Sequence, residues 1–496
     1  MKRIFIGLIS AVLLLAGCQE PADPVEPSVP GPKVVSSTPA NGATGVAYGD
    51  LSMTVTFDAS VMCPTAQQGR ITIDGDAEIS KIEAYSKTVT IELADLQPLS
   101  TYKVSFPKGT VIGYSENQAD AFSISFTTKD KDPEPEPPQD YELDPVASLV
   151  NPDATKEAKN VYDFLKDQSG KKTLSGVQSS MSNTNDFIDL VHSKTGKHPA
   201  LAGYDFIFLH YSPTPDGWSW VQNYGDISAA KEQWQNNGLV SYMWHWNVPQ
   251  SESVWEHAKE NYGEFDGYAF YSDQTTFDIK EALKEGTWQN QVIMADIEKV
   301  AGYLKLLQNE GIPVIWRPLH EAAGNYDKYG PNGAWFWWGR GGAESCKQLW
   351  RLLYEQFVNV HKLNNLIWVW TVDVTEGCEY QYLDWYPGDE YVDILGVDIY
   401  ETNTEAKTRQ YQAMVNMTKG RKLVTVSECG NIPDPVKCTN AGNKWSWFMV
   451  WPNTDADGNL VLTPGDNNFK LNTEAYWKQV MASPVTLNRE AMPSLK

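Results

Sequence analysis

Two glutamates close apolar runs in the carboxyl-terminal part of the chain. Pro313-Val314-Ile315-Trp316-Arg317-Pro318-Leu319-His320-Glu321 ends in His-Glu, and Leu423-Val424-Thr425-Val426-Ser427-Glu428 ends in Glu428, ahead of Cys429-Gly430. Two carboxyl groups brought to one pocket can cleave a glycosidic bond. One attacks as nucleophile and the other protonates the leaving oxygen, and retention of configuration places them about 5 to 5.5 Å apart. One must hold its proton near neutral pH while the other is ionised, so their surroundings must differ. Arg317 shares a strand face with Glu321 by parity, where a guanidinium would favour the charged form of a carboxylate. It reads equally well as a structural ion pair beneath the site. Tyr400, closing the run Val392 to Tyr400, is placed to donate to Glu428.

Such residues need a scaffold that delivers strand ends to one place. From Pro145 onward apolar β-type runs alternate with helical patterns, which calls for parallel strands with crossover helices. Strands are expected at Thr173 to Gln178, Pro199 to Phe206, Leu239 to Asn247, Val314 to Glu321, Leu366 to Asp373, Val392 to Tyr400, Leu423 to Glu428 and Trp447 to Trp451. Eight of them fit an α/β fold, a (β/α)8 TIM barrel, in which catalytic groups come from the carboxyl ends of the strands. By that count Glu321 ends the fourth strand and Glu428 the seventh. Asp296 to Gln308 carries Ile297, Val300, Ala301, Leu304 and Leu307 on one helical face, and Glu344 to Val360 has a similar stripe. Val221 to Ile227 and Gly324 to Ala334 read as extended loops.

The chain has 496 residues, enough for several domains. Its 63 acidic against 40 basic side chains give a net charge of −23, which repels phosphate backbones, so nucleic acid is not expected as a partner. All 19 tryptophans lie between Trp218 and Trp477, so the aromatic excess belongs to the barrel region. Residues 34–128 instead show short alternating runs such as Met53-Thr54-Val55-Thr56-Phe57 and Thr88-Val89-Thr90-Ile91-Glu92, as expected of a small all-β sandwich. Residues 129–144 are rich in proline and acid, the composition of a stiff linker spanning roughly 40 to 50 Å at about 3.1 Å per residue. At the other end, Lys2 and Arg3 precede the apolar run Ile4 to Leu15, too short to span a membrane. Residues 1–17 therefore read as a signal peptide and 18–33 as a tether. Five cysteines follow Cys18, so at least one thiol stays unpaired within the chain; Cys429 and Cys438 are near enough in sequence to pair, or are buried as small hydrophobes.

Several of these segments are similar to known families. Leu15-Ala16-Gly17-Cys18 resembles a bacterial lipobox, which implies export and lipidation at Cys18, with the chain anchored to a bacterial membrane, the outer one by expectation, on its periplasmic or cell-surface side. Residues 34–128, opening with Ser37-Thr38-Pro39-Ala40-Asn41-Gly42 and closing with Phe126-Thr127-Thr128, resemble a bacterial immunoglobulin-like module, which implies a spacer. In the barrel, Trp316-Arg317-Pro318-Leu319-His320-Glu321, Ala334-Trp335-Phe336-Trp337-Trp338-Gly339, Asp398-Ile399-Tyr400, Ser427-Glu428-Cys429-Gly430 and Trp451 resemble glycoside hydrolase family 26, chiefly endo-β-1,4-mannanases. The resemblance implies Glu321 as acid/base, Glu428 as nucleophile, retention, and a β-mannan substrate. It also implies substrate contacts or positioning roles for His245, Arg317, His320, Asp398 and Tyr400, and aromatic platforms at Trp335 and Trp451. The stretch from Glu321 to Trp335 is longer than in many members, with Asn325 to Tyr329 inserted. Mixed-linkage β-glucan and β-1,3-xylan are alternative substrates, since the same glutamates serve them.

Neither metal nor organic cofactor is expected of a two-carboxylate mechanism. A metal-dependent hydrolase on the same barrel would use His210, His245 and His320 as ligands, but no His-x-His or His-Glu-x-x-His pair accompanies them. A non-catalytic glycan-binding barrel would have lost one of the glutamates, and both are present. Trp244, Trp246, Trp337, Trp338, Trp368 and Trp370 are expected in the core.

Overall fold

The structure is a computed structural model that describes residues 30–130, 140–180, 183–211, 223–260, 266–324, 330, 334–374, 382–463 and 470–496. The signal peptide, Cys18, most of the tether, residues 131–139 of the linker, Cys378 and the insertion Asn325 to Tyr329 lie outside these. The chain divides into two compact units, residues 1–138 and 139–496.

The first unit is the expected sandwich. One four-stranded sheet runs Val34–Thr38, Gly49–Phe57, Thr88–Leu96 and Glu78–Tyr85; the other runs Ala43–Val46, Phe122–Thr128, Thr101–Phe106 and Thr72–Ile73. Strict alternation sends Met53, Val55 and Phe57, then Val89, Ile91 and Leu93, then Tyr102, Val104 and Phe106 into the shared core, because successive side chains on a strand face opposite ways. The last residues of the tether pack on this unit: the Lys33 amide donates to Asp58 Oδ1 at 2.8 Å.

The second unit is a closed parallel barrel of eight strands: β1 (Thr173–Gln178), β2 (Leu201–Asp205), β3 (Leu239–Met243), β4 (Val314–Arg317), β5 (Leu366–Asp373), β6 (Ile394–Ile399), β7 (Leu423–Cys429) and β8 (Trp447–Val450). Each strand pairs in parallel with the next, and β8 returns to β1. Both faces are covered, so runs such as Leu-Ile-Trp-Val-Trp in β5 are buried without alternation. All six tryptophans expected in the core are there. The helix Trp288–Asn309 contains the predicted Asp296 to Gln308 and buries Ile297, Val300, Ala301, Leu304 and Leu307. The Glu344 to Val360 pattern forms a helix over Ala343–Tyr354 that continues as a π-helical turn over Glu355–Val360.

Three expectations need correction. The fourth strand stops at Arg317, not at Glu321, because Pro318 lacks the N–H that a ladder needs and Leu319 and Glu321 adopt φ of 49° and 52°. The third strand likewise ends at Met243, short of His245 and Asn247. The linker is shorter than drawn, since its last residues belong to the barrel unit: the Tyr141 amide donates to Asn416 Oδ1 at 3.0 Å and the Asp144 amide to the Gly420 carbonyl at 2.9 Å. Cys63, Cys346, Cys429 and Cys438 are buried and unbridged. Among the described residues, no helix is long and apolar enough to cross a membrane.

Candidate active site

The carboxyl ends of the strands deliver the chemistry. Arg317 is the last residue of β4, Asp398 the penultimate residue of β6, and Glu428 the penultimate residue of β7. Asp398 and Glu428 are register partners, and the ladders on both sides of β7 slip at this point. A bulge re-aims a side chain at a strand end, and here it turns Glu428 toward the barrel mouth. Glu321 arrives differently, from the turn after β4, where the Gly324 amide donates to its carbonyl at 2.9 Å.

One guanidinium ties the carboxylates together. Arg317 Nη1 donates to Asp398 Oδ2 at 2.8 Å and Nη2 to Glu428 Oε2 at 2.5 Å, with all three side chains at most 7% exposed. Parity beyond β4 does not carry Arg317 to Glu321, since the chain has left the strand; the guanidinium serves Asp398 and Glu428 instead. Ser427 Oγ donates to Asp398 Oδ1 at 2.8 Å, and the Tyr400 hydroxyl donates to Glu428 Oε1. Glu428 thus accepts two hydrogen bonds, one of them from a cation.

Glu321 has no such support. Burial, and then the negative charges of Asp398 and Glu428, hold its carboxyl well above the usual range. Its carboxyl is hydrogen bonded to that of Asp398. Because Arg317 and Ser427 already donate to Asp398, the proton of this pair belongs on Glu321, which donates it to Asp398. Oxygens of Glu321, Asp398 and Glu428 lie within 4.8 Å of one another, close enough to flank one bond.

The two histidines of the motifs meet as well. His245 Nε2 and His320 Nε2 are 3.2 Å apart, and His245 Nδ1 lies 2.6 Å from Asp205 Oδ2. Burial, followed by His245 and Arg317, drives the pKa of His320 well below the ordinary imidazole value. Asp205 was missed in the sequence although it obeys the rule that found the glutamates, a polar residue at a strand's carboxyl end; the expected strand ran on to Phe206 and hid it.

Aromatic side chains line the approach. Trp451 lies 5.7 Å from His245, Phe336 lies 5.2 Å from His320, and Trp335 is half-buried beside Phe336. Trp335 packs over Gly324 so closely that a Cβ there would sit 2.2 Å from its ring. A cleft of about 600 Å³ opens beside Tyr400, lined by Asp373, Val374, Glu401, Thr402, Asn403 and Arg409.

Among the described residues, His210, His245 and His320 do not form one ligand group. His210 stacks on Tyr268 with ring centres 5.0 Å apart. Among the described residues, the one group of side chains with metal-ligand spacing is Glu321, Asp398 and Glu428, and Arg317 already occupies an oxygen of two of them.

Comparison with known proteins finds a family for each of the two units. Residues 29–128 match the bacterial Ig-like domain, and residues 150–470, roughly two thirds of the chain, match glycosyl hydrolase family 26. The chain is 34% identical over 354 residues to mannan endo-1,4-beta-mannosidase B of Piromyces sp, covering 70% of this chain and 54% of that protein. It is 36% identical over 316 residues to a mannan endo-1,4-beta-mannosidase of Thermothelomyces thermophilus, covering 62% and 57%. The chain therefore spans about half the length of the curated relatives it matches. Among solved structures, a beta-mannanase from a symbiotic protist of the termite Reticulitermes speratus, complexed with gluco-manno-oligosaccharide, superposes with a TM-score of 0.58 at 31% identity over 72% of this chain and all of that one. The GH26 domain of an endo-beta-mannanase/endo-beta-glucanase from Prevotella bryantii gives 0.59 at 34% identity over 70% and 99%. On the extent of this match, and with the barrel and its paired glutamates in place, the chain belongs to glycosyl hydrolase family 26.

Proposed function

We propose that the protein is an endo-acting, retaining β-1,4-mannanase that cleaves mannan, galactomannan or glucomannan by double displacement. The observation that carries the reading is the asymmetry of the two glutamates: Glu428 is held by Arg317 and Tyr400, whereas Glu321 keeps its proton. The names of the relatives support the substrate class. In the first step a Glu428 oxygen bonds to the anomeric carbon as the glycosidic C–O bond breaks, and Glu321 gives its proton to the departing oxygen. In the second, ionised Glu321 takes a proton from water, whose oxygen displaces Glu428 and restores the starting carboxylate. Asp398 and Arg317 hold the two glutamates apart in charge state. His320, Trp335 and Trp451 contact the sugars, the tryptophans through the apolar faces of the rings, and His245 orients His320. Neither metal nor organic cofactor enters either step.

The experiment is incubation with galactomannan, glucomannan, mixed-linkage β-glucan and β-1,3-xylan, with chromatography of the products and proton NMR of the newly formed reducing end. Manno-oligosaccharides of mixed length with initial β-configuration support the reading. Products from β-glucan or xylan alone would replace the substrate, and an initial α-anomer would overturn the mechanism. We further infer from the lipobox-like Leu15 to Cys18 that the chain is exported and lipid-anchored; mass spectrometry of the amino terminus made in a bacterial host tests this by the presence or absence of acyl chains on Cys18.

A further inference from the structure

The contact between His245 and His320 raises a question of hydrogen count. Their Nε2 atoms are 3.2 Å apart, and a hydrogen bond between two ring nitrogens holds one hydrogen, supplied by one ring and accepted by the other. Which ring supplies it is decided at the far side of His245. There Asp205, the last residue of β2, grips His245 twice: Oδ1 accepts from its backbone amide at 2.9 Å, and Oδ2 faces Nδ1 at 2.6 Å. The two side chains are only 5% and 10% exposed. An ionised carboxylate only accepts, so Nδ1 of His245 carries hydrogen.

A neutral His245 protonated at Nδ1 has only a lone pair at Nε2, so His320 must donate from Nε2. His320, 1% exposed and with its Nδ1 buried without a partner, is then fixed in both tautomer and orientation. Both ring nitrogens of His245 are consumed within the protein, and neither is left for a sugar hydroxyl. The end of the chain is mechanically coupled to the acid. His320 immediately precedes Glu321 in a turn with positive φ at Leu319 and Glu321, and its carbonyl accepts from Trp338 Nε1 at 2.9 Å. The His320 ring and the Glu321 carboxyl thus share a few strained backbone bonds.

We propose that Asp205 is a positioning residue for the reaction: through the chain Asp205–His245–His320 it locks two imidazole tautomers and thereby holds the turn that presents Glu321. This rests on the mannanase reading for its kinetic consequence but not for its structural one. Asp205→Asn is nearly isosteric, and its amide can donate to His245 Nδ1. His245 would then carry hydrogen at Nε2 and donate to His320, inverting both rings. The chain has seven histidines, few enough to assign by long-range proton–nitrogen NMR on the full-length protein labelled with 15N-histidine.

In the wild type the expected pattern is hydrogen on Nδ1 of His245 and on Nε2 of His320. In Asp205→Asn both invert, kcat on galactomannan falls on the order of 10- to 100-fold, as a small misplacement of a reacting group does, and KM stays within about threefold. Unchanged tautomers in Asp205→Asn, or inversion with kcat intact, would overturn the proposal. Should that variant fail to fold, the wild-type spectrum decides alone: hydrogen at His245 Nε2, in either the neutral or the doubly protonated ring, refutes the lock. A wild type without mannanase activity but with the expected tautomers would sink the functional reading and leave the lock standing.

Discussion

Replacing Arg317 by methionine keeps most of the side-chain length and removes the charge shared by Asp398 and Glu428. With 2%, 0% and 7% of the three side chains exposed, water cannot substitute for the guanidinium. Removing one partner from a buried ion pair costs about 3 to 5 kcal/mol, or roughly a hundred- to several-thousandfold in the ratio of folded to unfolded barrel. The cost depends on pH with a definite sign. Burial already pushes Asp398 up to about 7 against the pull of the guanidinium, so without Arg317 its folded-state pKa rises further above the unfolded value of about 4. The variant's deficit is therefore nearly absent below about pH 4, where Asp398 is protonated folded or unfolded, and grows as pH rises through about 7. Urea unfolding of Arg317→Met and wild type at pH 4.5 and 7.5, following the tryptophan fluorescence that belongs wholly to the barrel, measures it. The same variant should lose more than about 100-fold in kcat at pH 7, because Glu428 loses the cation that holds and aims its carboxylate. A deficit below about 1 kcal/mol at pH 7.5, or an equal deficit at both pH values, would refute the shared-guanidinium account.

Glu428→Ala should abolish turnover of galactomannan, with kcat down on the order of 10⁴-fold or more, while circular dichroism stays that of the wild type; near-normal turnover would dismiss the proposed nucleophile. Glu321→Ala should cost about 10²- to 10⁴-fold on mannan yet little in the first step with an activated aryl glycoside, whose leaving group needs no proton. Because burial and neighbouring carboxylates raise the Glu321 pKa, the alkaline fall in wild-type kcat/KM should begin well above the ordinary carboxyl range of about 4.3, and that limb should vanish for the aryl substrate in Glu321→Ala. Gly324→Ala forces a methyl to within 2.2 Å of the Trp335 ring; displacement of the platform should raise KM about tenfold, roughly 1.4 kcal/mol, with a smaller change in kcat. Tyr400→Phe removes a charge-assisted hydrogen bond to Glu428, about 1.5 to 3 kcal/mol, and should lower kcat roughly 10- to 150-fold; a loss under twofold would show that the tyrosine is incidental.

The barrel was legible because parallel strands buried on both faces appear as unbroken apolar runs, as in Leu366 to Asp373 and Leu423 to Glu428. The glutamates were legible because a carboxyl group at the end of such a run has few reasons to be there. What the sequence concealed depended on local exceptions to strand geometry. Parity assigned Arg317 to Glu321, but Pro318 ends the ladder and the next residues take positive φ, so the arginine reaches across to β6 and β7. The slip in the β7 ladder that aims Glu428 leaves no trace in residue type. Asp205 followed the visible rule but was hidden by one extra residue in the expected strand, and its bond to His245 joins positions forty residues apart that only the closed sheet makes neighbours.

The grouping of Glu321, Asp398 and Glu428 around one guanidinium has a consequence for the whole of the proposed catalytic cycle, from resting enzyme to the glycosyl-enzyme it would form. In the resting state Arg317 carries +1, Asp398 and Glu428 each −1, and protonated Glu321 nothing. In the glycosyl-enzyme Glu428 is a neutral ester and Glu321 carries the −1. The total is −1 at both stages; a single negative charge has been handed across less than 5 Å, beside a cation bonded to Glu428 and to the Asp398 that accepts from Glu321. A cavity whose sum never changes asks almost nothing of the medium around it. The low-dielectric walls of the barrel, which would oppose any step that created or destroyed net charge, are indifferent to one that relocates it.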